Sequence, residues 1–409
     1  MRRILLTMAL TAGVLSYAGG FRVSLQGVKQ LAMAHTSAHA QDASVAFFNP
    51  AGISFIPNKL SVAVGAFGAS NKVTFQNTST LEQTETDNPL GTPLYAAIAY
   101  KVTDKVSVGF SFTTPFGSTI EYPSNWEGAE MVQRMELKSY FFQPMISVKL
   151  APWASFGASY IYSRGKVDWT KKITQSDGSL NILDEKASGQ GFGFGFYFQP
   201  DSNWDVSVAY RSPIDMDAEN GKATFNVSPA LYPNLNLTNG IDNFKATLPL
   251  AEEFTLGFTY KLTPKWSLSA DYNYTGWQRY NKLTLDFEKA PVGNQADNTV
   301  LVNQKDFQNT STVRVGTQYQ INDMIAGRLG WYYDQSPYKN DRFIPETPSF
   351  DSYVITGGVG LKFNKLGVDL AAAYAMPQSR QVDNPLFNFK GQAKAKAYYF
   401  GLGLSYNAF

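Results

Sequence analysis

Strict one-by-one alternation of apolar and polar residues constrains this 409-residue chain more than any other feature. Trp266, Leu268, Ala270, Tyr272 and Tyr274 alternate with Ser267, Ser269, Asp271, Asn273 and Thr275. Phe254, Leu256, Phe258, Tyr260 and Leu262 alternate with Thr255, Gly257, Thr259 and Lys261. Runs beginning at Trp204 and Tyr353 repeat the pattern. A period of two places one set on each face of a strand. In a soluble sandwich the inner faces of both sheets are apolar. Here the second set is Gly, Ser and Thr with scattered charges, which suits a wet or narrow lumen behind a lipid-facing wall. Such a wall needs only alternate apolar residues, so the average hydropathy stays that of a soluble chain. No segment after residue 18 is long and apolar enough for a transmembrane helix.

The turns add a second rhythm. Short links fall at Thr103-Asp104-Lys105, Ala151-Pro152-Trp153, Pro200 to Asn203, Thr263-Pro264-Lys265, Asn322-Asp323 and Asn364-Lys365. Pro, Asp, Asn and Ser favour turns because they pre-set φ or bond to local backbone. Between them lie longer polar stretches at 71–91, 119–134, 168–186, 212–246, 277–305, 335–350 and 377–394. Outer-membrane barrels alternate short periplasmic turns with long outer loops in this way. Counting between the links gives about fourteen strands, from 58–70 to 395–408. The fold class expected is therefore all-β, a fourteen-stranded antiparallel transmembrane β-barrel. Closure would leave no unpaired backbone edge in lipid.

The ends of the chain agree with export. Arg2 and Arg3 precede an apolar run from Ile4 to Leu15, and Ser16 and Ala18 set small residues before Gly19. That order reads as a signal peptide over 1–18. Near the C-terminus Phe400, Leu402, Leu404 and Tyr406 alternate with Gly401, Gly403, Ser405 and Asn407, although the final Phe409 is one residue out of phase. There is no cysteine, so disulfides and thiolate metal sites are excluded. A net charge of +2 without a basic block gives nucleic-acid binding no support.

Between the leader and the first strand lies Gln41-Asp42-Ala43-Ser44-Val45-Ala46-Phe47-Phe48-Asn49-Pro50-Ala51-Gly52. Asn-Pro alone is an ordinary turn starter. Its position, together with Thr114-Pro115-Phe116-Gly117 in the third strand and the C-terminal aromatic, resembles the FadL family of outer-membrane channels for hydrophobic compounds. The resemblance implies an N-terminal hatch over 19–57 plugging a barrel over 58–409. Its hatch motif would be Asn49, Pro50, Ala51 and Gly52, with Asn49 bonding backbone near a kink in the third strand. Pro115, Phe116 and Gly117 would form that kink and a lateral opening in the wall. Proline cannot donate to a ladder and glycine weakens one, so a local break is expected there on physical grounds too. The family carries fatty acids or aromatic hydrocarbons, with long-chain fatty acids the first expectation. Outer-membrane lipid and lipopolysaccharide would surround a monomeric barrel.

Candidate binding residues are fewer. Phe21, Phe47 and Phe48 could line an inner pocket against the hatch. Trp126, Trp169, Tyr232, Trp277 and Tyr338 lie in or beside long loops, as a capture rim or as an interfacial girdle. Arg314 and Arg328 have lumen parity. Each could hold a carboxylate headgroup through its fork, or pair internally with Asp271, Glu253 or Asp369. The only histidines, His35 and His39, lack an acidic ligand cluster, so no metal, cofactor or catalytic role is expected. A general porin and an adhesive barrel are the other classes open to such a chain.

Overall fold

The computed structural model describes residues 19–173 and 177–408, so the leader and Phe409 lie outside the described residues. A single antiparallel sheet of 14 strands closes on itself. In chain order these are β1 (Leu60–Asn77), β2 (Leu94–Lys101) and β3 (Val106–Thr113 and Gly117–Glu121). Then come β4 (Arg134–Ala151), β5 (Ala154–Lys172), β6 (Ser179–Phe198) and β7 (Trp204–Arg211 and Ile214–Asn226). The next are β8 (Ile241–Leu250 and Glu253–Thr263), β9 (Trp266–Thr275 and Lys282–Phe287) and β10 (Val300–Gln304 and Thr310–Gln320). The last four are β11 (Ile325–Asp334), β12 (Ser352–Phe363), β13 (Leu366–Pro377 and Arg380–Asn384) and β14 (Phe389–Ala408). The seam runs between β1 and β14, from Leu60 opposite Ala408 to Asn77 opposite Gly391.

The short links all sit at one end. Asn364 takes φ 56 in the tight β12–β13 turn, a left-handed conformation that asparagine tolerates. At the other end the strands run well past the bilayer. The stretches expected as loops over 168–186, 212–246, 277–305 and 377–394 hold much strand, including Ile214–Asn226 and Lys282–Phe287. The reason is an inversion of parity. In the lipid zone Phe192, Phe194 and Phe196 of β6 face outward and are exposed. A bulge on the β5–β6 ladder, between Gly165↔Ala187 and Val167↔Asp184, then turns Leu180 and Ile182 inward, where they are buried. A bulge adds an unpaired residue and re-aims the side chains after it. In β7, Val206 and Val208 face lipid, whereas Ile214, Met216 and Ala218 beyond the Ser212-Pro213 interruption face a buried core. Above the membrane the outer face is polar, so the lipid signal disappears there although the strands continue.

The N-terminal segment up to Pro57 lies inside the lumen. It forms two short helices, α1 (Val28–Ala32) and α2 (Val45–Phe48), and a 3-10 turn, Pro50–Phe55. Nearly all of it is buried. The wall makes room by omitting side chains. A Cβ on Gly157 would lie 2.3 Å from the Ala51 nitrogen, and one on Gly316 2.5 Å from the Met33 carbonyl oxygen. Small wall residues therefore let segment backbone rest directly on barrel backbone.

Candidate functional site

Asn49 anchors the segment. Its side-chain oxygen accepts from Ala51 N–H at 2.9 Å, which caps the 3-10 turn. Its Nδ2 donates to the Phe196 carbonyl at 2.9 Å, to Ser207 Oγ at 2.9 Å and to the Val208 carbonyl at 3.2 Å. These partners belong to β6 and β7. The bond to backbone near the third-strand kink, expected from sequence, is not made. Asn49 lies against β6 and β7 because Pro50–Phe55 packs on β5 and β6, with Ser155 Oγ donating to the Ala51 carbonyl at 2.8 Å.

The third strand is broken at Thr114–Phe116. Below the break β3 pairs with β2 from Lys101↔Ser107 to Tyr95↔Thr113, but the upper part, Gly117–Glu121, pairs only with β4. The N-terminal segment fills the resulting edge. Val23 N–H donates to the Pro115 carbonyl at 2.8 Å, and Gly117 N–H donates to the Phe21 carbonyl at 2.9 Å. Arg22 holds this short bridge in place from inside. Its guanidinium donates to Glu253 at 2.8 Å, Thr312 Oγ1 at 3.1 Å and Asp334 at 3.1 Å, and also to Asn273. A cavity of about 500 Å³ adjoins the break. It runs from Tyr332, Val354 and Tyr399 inside to Leu94, Thr114 and Tyr140 at the wall. Leu94 is exposed on the outer face.

A second, apolar pocket lies in the upper barrel and has about 80 Å³ of free space. Phe21, Phe116, Leu137, Lys138 and Ser139 line both cavities, and the Phe21 and Phe116 rings, 6.0 Å apart, stand between them. Met135, Trp169, Ile182, Met216, Phe244 and Leu285 are among the residues of its remaining apolar wall. One end carries charge. Lys305 Nζ, almost wholly buried, donates to Glu346 Oε1 at 2.7 Å, while Glu346 Oε2 has no partner. Sequence reading missed both residues, since a loop lysine and a loop glutamate give no signal until the loops fold over the mouth.

The other candidate residues disperse. Phe47 and Phe48 line a polar crevice of about 40 Å³ with Arg22, Arg211, Glu253, Asp271 and Arg314. There Arg211 covers the Phe47 ring at 4.1 Å and donates to the Phe47 carbonyl at 2.9 Å. Arg314 donates to the Ala34 carbonyl at 3.2 Å and to Ser24 Oγ at 3.4 Å, and stacks over Tyr332 at 4.8 Å. Arg328 pairs with Asp369, one of the internal partners weighed from sequence, and lines the periplasmic vestibule. Trp126, Trp169, Trp277 and Tyr338 do not form an exposed rim, because all four are buried. Trp126 stacks on Tyr122 at 4.0 Å and donates to the Val132 carbonyl at 2.6 Å. His39 Nε2 lies 2.8 Å from Thr36 Oγ1, and His35 Nε2 accepts from Gln26 N–H at 3.3 Å.

These features have counterparts in known proteins. Residues 9–408 match the family described as "Outer membrane protein transport protein (OMPP1/FadL/TodX)". Outer membrane protein P1 of Haemophilus influenzae is 27% identical over 353 residues, covering 75% of this chain and 73% of that protein. The crystal structure of a Pseudomonas aeruginosa FadL homologue superposes with a TM-score of 0.81 at 20% identity, covering 96% of this chain and 100% of that one. The P. putida toluene transporter TodX superposes with a TM-score of 0.71 at 14% identity, over 96% and 99% of the two chains. Its sequence match, its closed barrel and its outer-membrane relatives together make this chain a member of the FadL/TodX family of outer-membrane channels that carry hydrophobic molecules.

Proposed function

We propose that the protein takes up long-chain fatty acids passively, holding them across the apolar pocket and the cavity that adjoins it past Phe21 and Phe116, and releasing them sideways into the membrane at the β3 break. The observation that carries this reading is the 500 Å³ cavity reaching from the pocket's Phe21–Phe116 wall to the lipid-facing Leu94. Its size falls within the range of small-ligand sites. The packed N-terminal segment leaves no straight path down the lumen, which argues against a general porin for polar solutes. A substrate carboxylate has its partners in Lys138 and Lys166, which line the pocket and, with Arg134, surround the one carboxylate of Glu136, whereas Lys305 is already paired with Glu346. Pure hydrocarbon would gain nothing from these ammonium groups, so a charged head with an apolar tail fits better than an aromatic hydrocarbon. The segment over 19–57 serves as hatch, with Asn49 as its anchor and Phe21 as the movable wall of the pocket. A closed sheet leaves no edge to pair, which supports a monomer ringed by lipid and lipopolysaccharide.

The test is uptake of labelled long-chain fatty acid by Gram-negative cells lacking their own channel. Cells carrying the protein should exceed the empty-vector rate, and Ser118→Trp, which fills the cavity at the break, should return uptake to that level. Undiminished uptake by a folded Ser118→Trp protein would rule out lateral release. Absence of uptake by the folded parent would rule out fatty acid.

A further inference from the structure

The apolar pocket needs a way in, and the mouth of the barrel is a poor one. Above the pocket Phe307, Tyr338, Phe343 and Phe350 pack ring to ring at 4.5, 5.7 and 5.7 Å, and all are buried. The β8–β9 wall is different. The two strands pair from Thr263↔Trp266 up to Glu253↔Thr275, and again from Ala246↔Leu285 to Phe244↔Phe287. Between these ladders residues 247–251 face residues 277–284 without strand pairing. Glu252 closes the lower corner by accepting from Gly276 N–H at 3.0 Å. Outside this gap is a hollow of about 590 Å³. It shares Ala218 and Ala246 with the apolar pocket inside; these two pair across β7 and β8, and Ala246 pairs with Leu285 of β9, so they form the upper edge of the gap, where the wall is one residue thick.

The rim of the hollow is ionic. Arg279 pairs with Asp215, and Lys245 with Glu219 at 3.1 Å, and all four side chains are well exposed. Such charges place the gap above the hydrocarbon belt, whose upper edge on these strands is marked by the exposed Phe254 and Tyr272. No ladder hydrogen bonds need to break for the gap to widen, and exposed ion pairs of this kind resist little.

We propose that this unpaired stretch between β8 and β9 is the inlet through which an amphiphile's tail reaches the apolar pocket from the outer surface. The charged head stays with the ionic rim while the tail passes just below Ala246, between residues 247–251 and 277–284. The inlet deepens the uptake reading above and rests on it, but it concerns admission and not release.

The chain has no cysteine, so Ala246→Cys gives one reactive site. The purified variant would be labelled with a bulky, charged methanethiosulfonate, with labelling confirmed by mass. The readout is the association rate of a fluorescent naphthylamine probe, measured by stopped flow. Labelling should slow association at least tenfold, while the same label on Ser228→Cys in an exposed loop leaves it unchanged. An unchanged rate for fully labelled Ala246→Cys overturns the inlet. If Ala246→Cys does not fold, Thr247→Cys, which also lines the hollow, is read in the same way. Ser118→Trp separates the two ideas, since it blocks uptake and leaves probe association intact. Loss of fatty-acid uptake with normal, label-sensitive probe binding would remove the substrate reading and keep the inlet.

Discussion

Replacing Asn49 by alanine should loosen the hatch without harming the barrel. The side chain is fully buried, with Nδ2 near three acceptors on β6 and β7 and Oδ1 on the Ala51 N–H. Two amide hydrogens and one accepted bond make three hydrogen bonds lost. At about 0.5–1.5 kcal/mol each, the docked segment should lose roughly 1.5–4.5 kcal/mol. A loss of about 3 kcal/mol is on the order of a hundredfold in the undocked population. Amide hydrogen exchange followed by mass spectrometry reads that population directly. Peptides covering Val28–Phe55 should exchange on the order of a hundredfold faster in Asn49→Ala, with strands β4–β6 unchanged. Asn49→Asp should be at least as harmful, because it keeps the acceptor for Ala51 but sets a carboxylate against the Phe196 and Val208 carbonyls. Unaltered protection in both variants would refute the claim that this residue anchors the segment.

Other outcomes follow from the same geometry. Gly157→Val and Gly316→Val put side chains where the Ala51 and Met33 backbones lie, so each should fold as a barrel yet raise conductance in planar bilayers. Arg328→Ala leaves Asp369 buried without its cation and should cost about 3–5 kcal/mol, seen as a lower temperature for loss of the folded band on gels. Burial, reinforced by Lys29 and Arg328, holds His39 down at about 3 against an ordinary 6.5. Its neutral form therefore supports docking fully above pH 6.5, and that support declines as pH falls from 6.5 towards 3. At pH 5 the deficit is about 2 kcal/mol, so exchange in the segment should rise between pH 7 and 5, and His39→Gln should flatten the change. Lys138→Met with Lys166→Met removes the two ammonium groups of the pocket that face a substrate carboxylate. It should abolish preference for a fatty acid over the matching alcohol in a competition binding assay while keeping affinity for the tail.

The sequence carries the membrane part of this wall openly. Phe254 to Leu262 and Trp266 to Tyr274 alternate because lipid demands apolar residues on one face and the lumen demands small ones on the other. Above the bilayer that demand lapses. Leu180 and Ile182 follow a bulge that flips their parity, so a true strand looks like a polar loop. The site was less legible still. Phe21 and Phe116 were visible as aromatics near a glycine and a proline. Their pairing depends on a bridge between segments about 95 positions apart, from Arg22 to Phe116. Asn49 is distinctive in sequence, but its partners are set by which wall strand offers a glycine, and local pattern does not encode that. Lys305 and Glu346 became a site only through loop packing.

Helix α1 bears on the barrel at a telling place. Val28 packs against the β14 wall at Gly401 and Gly403, and Ala32 sits over Gly358 on β12. Just across the junction, the Tyr95 hydroxyl of β2 reaches over Gly65 of β1 to Gly403. The helix thus lies behind the one joint of the cylinder whose halves are synthesised at opposite ends of the message. A clasp in that position makes sealing of the cylinder and seating of its stopper a single cooperative event. Variants that spoil the α1 contact should therefore be recognised in the cell as barrels that fail to finish insertion, before they are ever noticed as leaky pores.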